Sequence, residues 1–289
     1  MTYQLGEGPD HVVIDPEQGG RIASLVIAGR ERLLVTPCSG TVEPSLSWGS
    51  FLMAPFVGRL SEGLLAWNDQ VIAIPVNHGR HAIHGSVFDV AWRIVAQTDN
   101  TVAIGCEIDP ARWPFRGRVF QRFSLSSGGL ALEAAIEADE AMPAALGWHP
   151  WFVRGRDGVR VGVAGDRVLR LTEELIPTGE ADPVDARTDL RSTPELGARK
   201  LDDVYAAVRS PAELCWPDLR LEMAFGPGVG AVVVYAHPEA VCLEPMTAWP
   251  DAIRLTQSGC PDTGLVLLGP GERLSTWTRW TWARPAPAL

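Results

Sequence analysis

Val119-Phe120-Gln121-Arg122-Phe123-Ser124-Leu125, then Ser126-Ser127-Gly128-Gly129, then Leu130-Ala131-Leu132-Glu133-Ala134-Ala135-Ile136-Glu137-Ala138 is the stretch that decides the fold. Two runs of period two flank a short Ser/Gly turn, the signature of an antiparallel hairpin. Upstream, residues 101–108 alternate in the same way. Downstream, residues 219–225 and 231–235 do so around Gly226-Pro227-Gly228-Val229-Gly230, which predicts a second hairpin. Near the C-terminus, Ser275-Thr276-Trp277-Thr278-Arg279-Trp280-Thr281-Trp282 suits a strand with one buried face. The 29 glycines and 23 prolines fall mainly between such runs, as turns require. Helical periodicity is scarce, and residues 202–209 are expected to hold one turn at most. Residues 178–200 are polar and are expected to form a long surface excursion. The Ala/Pro tail after Trp282 is expected to fray. The pattern predicts an all-β protein, a single domain over residues 1–289 built as a large antiparallel β-sandwich.

Composition narrows the function. The chain is 46% hydrophobic and 21% charged, so it folds rather than staying disordered. A net charge of -10 argues against nucleic acid and anionic membrane surfaces, and favours neutral ligands. No segment reaches the roughly 20 apolar residues that cross a bilayer. The start, Met1 to Glu7, has neither a basic nor an apolar stretch, so no leader peptide is expected. The five cysteines are widely spaced without a CxxC, which fits thiols in a reducing cytoplasm. Lys200 is the one lysine and lies in a polar stretch, which removes Schiff-base chemistry elsewhere.

Chemistry concentrates at a few places. Glu244 lies in Val241-Cys242-Leu243-Glu244-Pro245-Met246, between an apolar run and the turn Trp249-Pro250-Asp251. Such a carboxylate is poorly solvated, which raises its pKa and makes it a better base. Two imidazoles are candidate acid partners: His84 before Gly85, and His149 in Gly147-Trp148-His149-Pro150-Trp151-Phe152. Aromatic side chains contact the C–H face of a pyranose, so Trp148, Trp151 and Trp249 are candidate sugar platforms, weighed against plain core packing. His78, His81 and His84 recur every third residue; in an extended strand His78 and His84 share a face. That spacing does not gather the three or four ligands a zinc site needs, so no metal is expected. Arg59 after Gly58 reads as a placed guanidinium. Of Asp202 and Asp203, adjacent and divergent in an extended segment, only one can readily enter a pocket.

In order and separation, Gly58-Arg59, His84-Gly85 with Phe88-Asp89 and Trp92, His149 before Pro150-Trp151-Phe152, Asp202, and Glu244 with Pro250-Asp251 resemble the aldose 1-epimerases, or galactose mutarotases. The resemblance implies a β-sandwich without cofactor. It implies Glu244 as general base, His149 as general acid, and His84, Arg59 and Asp202 holding sugar hydroxyls. Ser86 stands where the family has a second glycine, Trp148 where it commonly has Asn, and Leu60-Ser61-Glu62 where it has a second Asn-Arg. These changes spare the acid and base and alter the walls. No arginine follows His84-Gly85, as it does in relatives acting on hexose 6-phosphates. The expectation is a cytoplasmic isomerase, monomer or homodimer, interconverting the anomers of a free aldohexose. The alternatives are a non-catalytic carbohydrate-binding sandwich, a hexose-phosphate mutarotase, a glycoside hydrolase or lyase with paired carboxyls, or a structural β domain. Glu244 and His149 are expected to face each other across one hexose-sized groove.

Overall fold

The computed structural model describes residues 1–40 and 43–284. Residues 285–289 of the Ala/Pro tail lie outside the described residues. Among the described residues, two antiparallel sheets dominate, one of eleven strands and one of eight. The smaller sheet holds the hairpin that set the fold. Strands Gly117–Ser126 and Gly129–Ala138 pair along their whole length from Gly117↔Ala138 to Ser126↔Gly129. Thr101–Glu107 lies on one side of them and the C-terminal strand Arg273–Ala283 on the other. In that last strand Thr276, Thr278 and Trp280 form the buried face.

The larger sheet runs, in spatial order, through Arg21–Ile27, Ser50–Met53, Gly147–Val153, Ala240–Met246, Ala231–Ala236 and Asp202–Ala206. Its central strands have no solvated face: every residue of Ser50–Met53 and Ala240–Met246 is buried. One face packs on the smaller sheet through Leu52, Trp148, Phe152, Val232, Val234 and Leu243. Burial of each such side chain contributes about 1.5–3 kcal/mol. The other face carries Phe51, Met53, Trp151, Val204, Val233 and Cys242, and is covered by loops. With a period of two, neighbours in one strand go to opposite faces, so Trp148 joins the inter-sheet core while His149 and Trp151 join the covered outer face.

Several expectations are corrected. Residues 219–225 and 231–235 are strands but not a hairpin. Leu219–Phe225 pairs with Arg209–Trp216 and Arg273–Ala283 in the smaller sheet, whereas Ala231–Ala236 pairs in the larger. The five-residue Gly/Pro connection lets the chain change layers instead of turning back within one. Asp202–Ala206 is a central strand, not a helical turn. The polar excursion begins as the edge strand Pro177–Pro183 and then buries Leu190 and Leu196 fully. A short α-helix, Ala252–Gln257, follows Asp251 and was not signalled by periodicity. No helix among the described residues is long and apolar enough to cross a membrane.

Candidate active site

Strand register assembles the site. Across the outer face of the larger sheet, one row runs Val204–Val233–Glu244, and His149 pairs with Phe51 in line with it. The next row runs Asp202–Tyr235–Cys242–Trp151. These residues share a face because each lies two positions from its counterpart in the other row. All of them but Phe51 and Cys242, together with Arg59, His78 and His84 from the covering loops, bound a hollow of about 340 Å³.

The loops are held by tight backbone contacts. Arg59–Leu60 pairs with Ala82–Ile83, and His84 N–H donates to Gly58 O at 2.9 Å. Gly58 has φ +58°, and a Cβ there would meet the Pro250 ring at 2.6 Å. Gly85 has φ +84°, and a Cβ there would stand 2.0 Å from Ala54 O. Gly85 therefore seats the backbone on Ala54 rather than opening it to a ligand; Ser86 N–H donates to the same carbonyl at 2.8 Å. Asp251 accepts from Ser61 N–H at 3.2 Å and pairs with Arg254, fixing the segment that carries Arg59.

Beneath these loops lies a buried cation. The Arg21 guanidinium donates to four backbone carbonyls, those of Gln18, Ser45, Trp48 and Phe88. It stacks on Trp48 at 4.3 Å and lies 5.4 Å from the Phe51 ring. Burial lowers its pKa to about 10. Phe51 in turn stacks on His149 at 4.8 Å, and Trp151 also stacks on the imidazole at 5.3 Å. His84 meets His149 edge-on at 4.8 Å. The imidazole is clamped by rings rather than by a hydrogen bond to Nδ1, which has no protein partner; His84 Nδ1 also has none.

Glu244 and His149 are 3% and 5% exposed, and Nε2 stands 3.3 Å from Oε1. The two were expected to face each other a sugar ring apart. They are instead neighbours on adjacent strands, in one wall. Burial, and then the charge of Asp202, push the Glu244 carboxyl well above its usual range, while Arg59 opposes the shift. Burial holds His149 neutral, with a pKa lowered to about 3. His84 is likewise held well below the usual imidazole value, by burial and then by His149.

Of the expected residues, Glu244, His149, His84, Arg59, Asp202 and Trp151 line this hollow. Trp148 does not: it is 1% exposed in the inter-sheet core, turned away by strand alternation. Trp249 does not: it lies over two other depressions, beyond Pro250. Asp202 takes the pocket position, and its pKa is raised, mainly by burial. Asp203, on the opposite face of the strand, is held by Arg187 through bonds of 2.6 and 2.7 Å. The histidine run is not extended. His78 and His81 exchange backbone bonds across a turn, which puts His78 at the hollow. His81 is buried, accepting from Glu62 N–H at Nδ1 at 3.0 Å. Sequence reasoning missed Glu43, Tyr235 and His237 in the lining. Tyr235 was visible as the second neighbour of Val233 on one face; the other two sit in loops without a local pattern.

Comparison with known proteins agrees with this architecture. Galactose mutarotase of Sus scrofa is 28% identical over 155 residues, covering 48% of this chain and 44% of that protein. The alignment thus spans less than half of that relative. The aldose epimerase homologue of C. elegans superposes with a TM-score of 0.84 at 15% identity, over 98% of this chain and 99% of that one. A galactose mutarotase-like protein of Clostridium acetobutylicum gives 0.83 at 17%, over 98% and 95%. At such identities the superpositions establish a common galactose mutarotase-like β-sandwich. The profile of the aldose 1-epimerases matches residues 1–281, and the chain belongs to the aldose 1-epimerase family.

Proposed function

We propose that the protein interconverts the α and β anomers of a free aldohexose, with Glu244 and His149 as its proton-transfer pair. The observation that carries this reading is their 3.3 Å contact in one wall of a hollow also lined by Arg59, His84 and Asp202. The two oxygens that exchange protons in ring opening, the C1 hydroxyl and the ring oxygen, are bonded to the same carbon. An acid and a base side by side in one wall serve them; two groups a ring apart would not.

Glu244 takes the proton of the C1 hydroxyl and His149 protonates the ring oxygen. The ring opens to the aldehyde, C1 turns about the C1–C2 bond, and closure presents the other face. The roles then reverse for the return transfers. At rest burial disfavours charge on both partners, so the pair holds one proton. Passing that proton across the 3.3 Å contact yields carboxylate and imidazolium without uptake from solvent. Arg59 favours the carboxylate in that exchange. Each positioned transfer contributes about 10²–10⁴ in rate. Arg59, Asp202 and His84 hold hydroxyls, so that only C1 turns, and Trp151 offers its face to the sugar. Arg59 shares the lining with three carboxyls, Glu43, Asp202 and Glu244, which favours a neutral sugar over a phosphorylated one.

The test is polarimetry of freshly dissolved α-glucose and α-galactose. Wild type is expected to relax the rotation faster than buffer, and Glu244→Gln is expected not to. Equal relaxation with Glu244→Gln and wild type overturns the assignment of the base. No acceleration with any aldose overturns the reaction.

A further inference from the structure

We propose that His149, Cys242 and Glu244 form a binding site for a zinc-class divalent cation. One ring nitrogen of His149, the Cys242 sulfur and a Glu244 oxygen all lie within 4.8 Å of one another. An ion at the centre of such a triangle stands within about 2.8 Å of each atom, so closure by at most about 0.5–0.8 Å reaches the 2.0–2.3 Å of zinc bonds to nitrogen, oxygen and sulfur. Strand geometry makes the closure small, because Cys242 and Glu244 are second neighbours on one strand face and His149 projects from the adjoining strand.

The donor set selects the ion. Imidazole, carboxylate and thiolate together suit zinc and its borderline neighbours rather than magnesium or calcium, which take oxygen alone. A thiolate and a carboxylate also cancel a double positive charge, so the loaded site is neutral in a buried place. Without metal, burial and the neighbouring Glu244 push the Cys242 thiol well up and keep it protonated. Cys242 is fully buried between its cross-strand neighbours Tyr235 and Trp151, whose rings meet edge to face at 5.7 Å. Glu244 and His149 line the hollow and Cys242 does not, so an ion reaches the thiol by passing the other two ligands. Three protein ligands with one open position is the pattern of an accessible zinc site. In this protein the ion occupies the proton-transfer pair, and so the site is inhibitory.

Cobalt(II) tests the site independently of activity. The full, reduced, chelator-treated chain is expected to take up one equivalent of Co²⁺ with a thiolate-to-cobalt charge-transfer band. Cys242→Ser is expected to lose the band and to bind Zn²⁺ about tenfold more weakly or worse. No band in wild type, or a band that survives in Cys242→Ser, overturns the site. If Cys242→Ser does not fold, X-ray absorption at the zinc edge of loaded wild type decides: one sulfur at about 2.3 Å supports the site, and none or several overturn it. Inhibition of mutarotation by equimolar Zn²⁺, reversed by chelator, rests on the proposed reaction. A chain that turns over no sugar leaves the cobalt result standing, so the two failures are distinguishable.

Discussion

Glu244→Gln should remove activity and stabilise the protein at neutral pH. The carboxyl is 3% exposed and its folded pKa is raised well above 4.5 by burial. In the unfolded chain the same group ionises near its ordinary value. Below about pH 4.5 both states hold the proton, and the group contributes no pH dependence. Above it, the folded protein retains a proton that the unfolded chain has lost. Folding stability then falls by about 1.4 kcal/mol per pH unit until the folded pKa is reached. Glutamine has the same shape and no charge to lose, and its amide N–H can still face the neutral His149 nitrogen. The variant-minus-wild-type stability should therefore grow with pH above about 4.5, by at most about 1.4 kcal/mol per pH unit, until the folded pKa is reached. Urea unfolding followed by tryptophan fluorescence at pH 5, 6 and 7 measures it. A difference that does not change with pH, or a variant less stable at pH 7, would mean that the folded carboxyl is ionised, and the shared-proton account of the pair would fail.

On the acid side kcat/KM for mutarotation should stay flat down to about pH 5, since the pair gains a second proton only toward the low His149 value, about 3; a fall in rate as the pH drops through about 6.5 would contradict this. Asp202→Ala should raise KM or lower kcat with a small change in Tm. Asp203→Ala should instead leave kinetics near wild type and lower stability by about 0.5–1.5 kcal/mol, because it removes a forked pair whose arginine is half exposed and regains water. Gly85→Ala should cost about 3 kcal/mol or more and weaken sugar binding, since the added methyl meets Ala54 O at 2.0 Å and the loop carrying His84 must lift; calorimetry and KM together check it. Arg21→Met should lower unfolding free energy by about 3–5 kcal/mol, the loss of four charge-assisted bonds net of the guanidinium's regained hydration, read by denaturant titration.

What the sequence showed and what it hid follow from one distinction. Local alternation located strands well, since the 117–138 hairpin and the C-terminal strand need only period two and a turn. Alternation says nothing about which sheet a strand joins, so the Gly226–Gly230 connection read as a hairpin although it crosses between layers. Strands buried on both faces also lose their alternation, and Asp202–Ala206 passed for a weak helix for that reason. At the site, residue type and setting marked Glu244, His149, His84 and Arg59, because a carboxyl among apolar neighbours and an imidazole among tryptophans are chemically conspicuous. Direction was harder. Trp148 and Trp151 look alike in sequence, and only strand parity sends one to the core and the other to the hollow. The 3.3 Å contact of His149 with Glu244, and the thiol beside them, depend on pairing between strands some ninety residues apart.

The strand that carries Glu244 is also the seam of the larger sheet. On one side of Ala240–Met246 lie strands drawn from residues 3–153, and on the other strands drawn from residues 167–236. During synthesis each half is made with an unfilled edge, and the seven residues that join them emerge last of all the strands in that sheet. Closure of the sheet and completion of the hollow are thus one event. A partly folded chain lacks Glu244 and exposes two edges, so the step that protects it from sticking to other chains also completes the proposed proton-transfer pair.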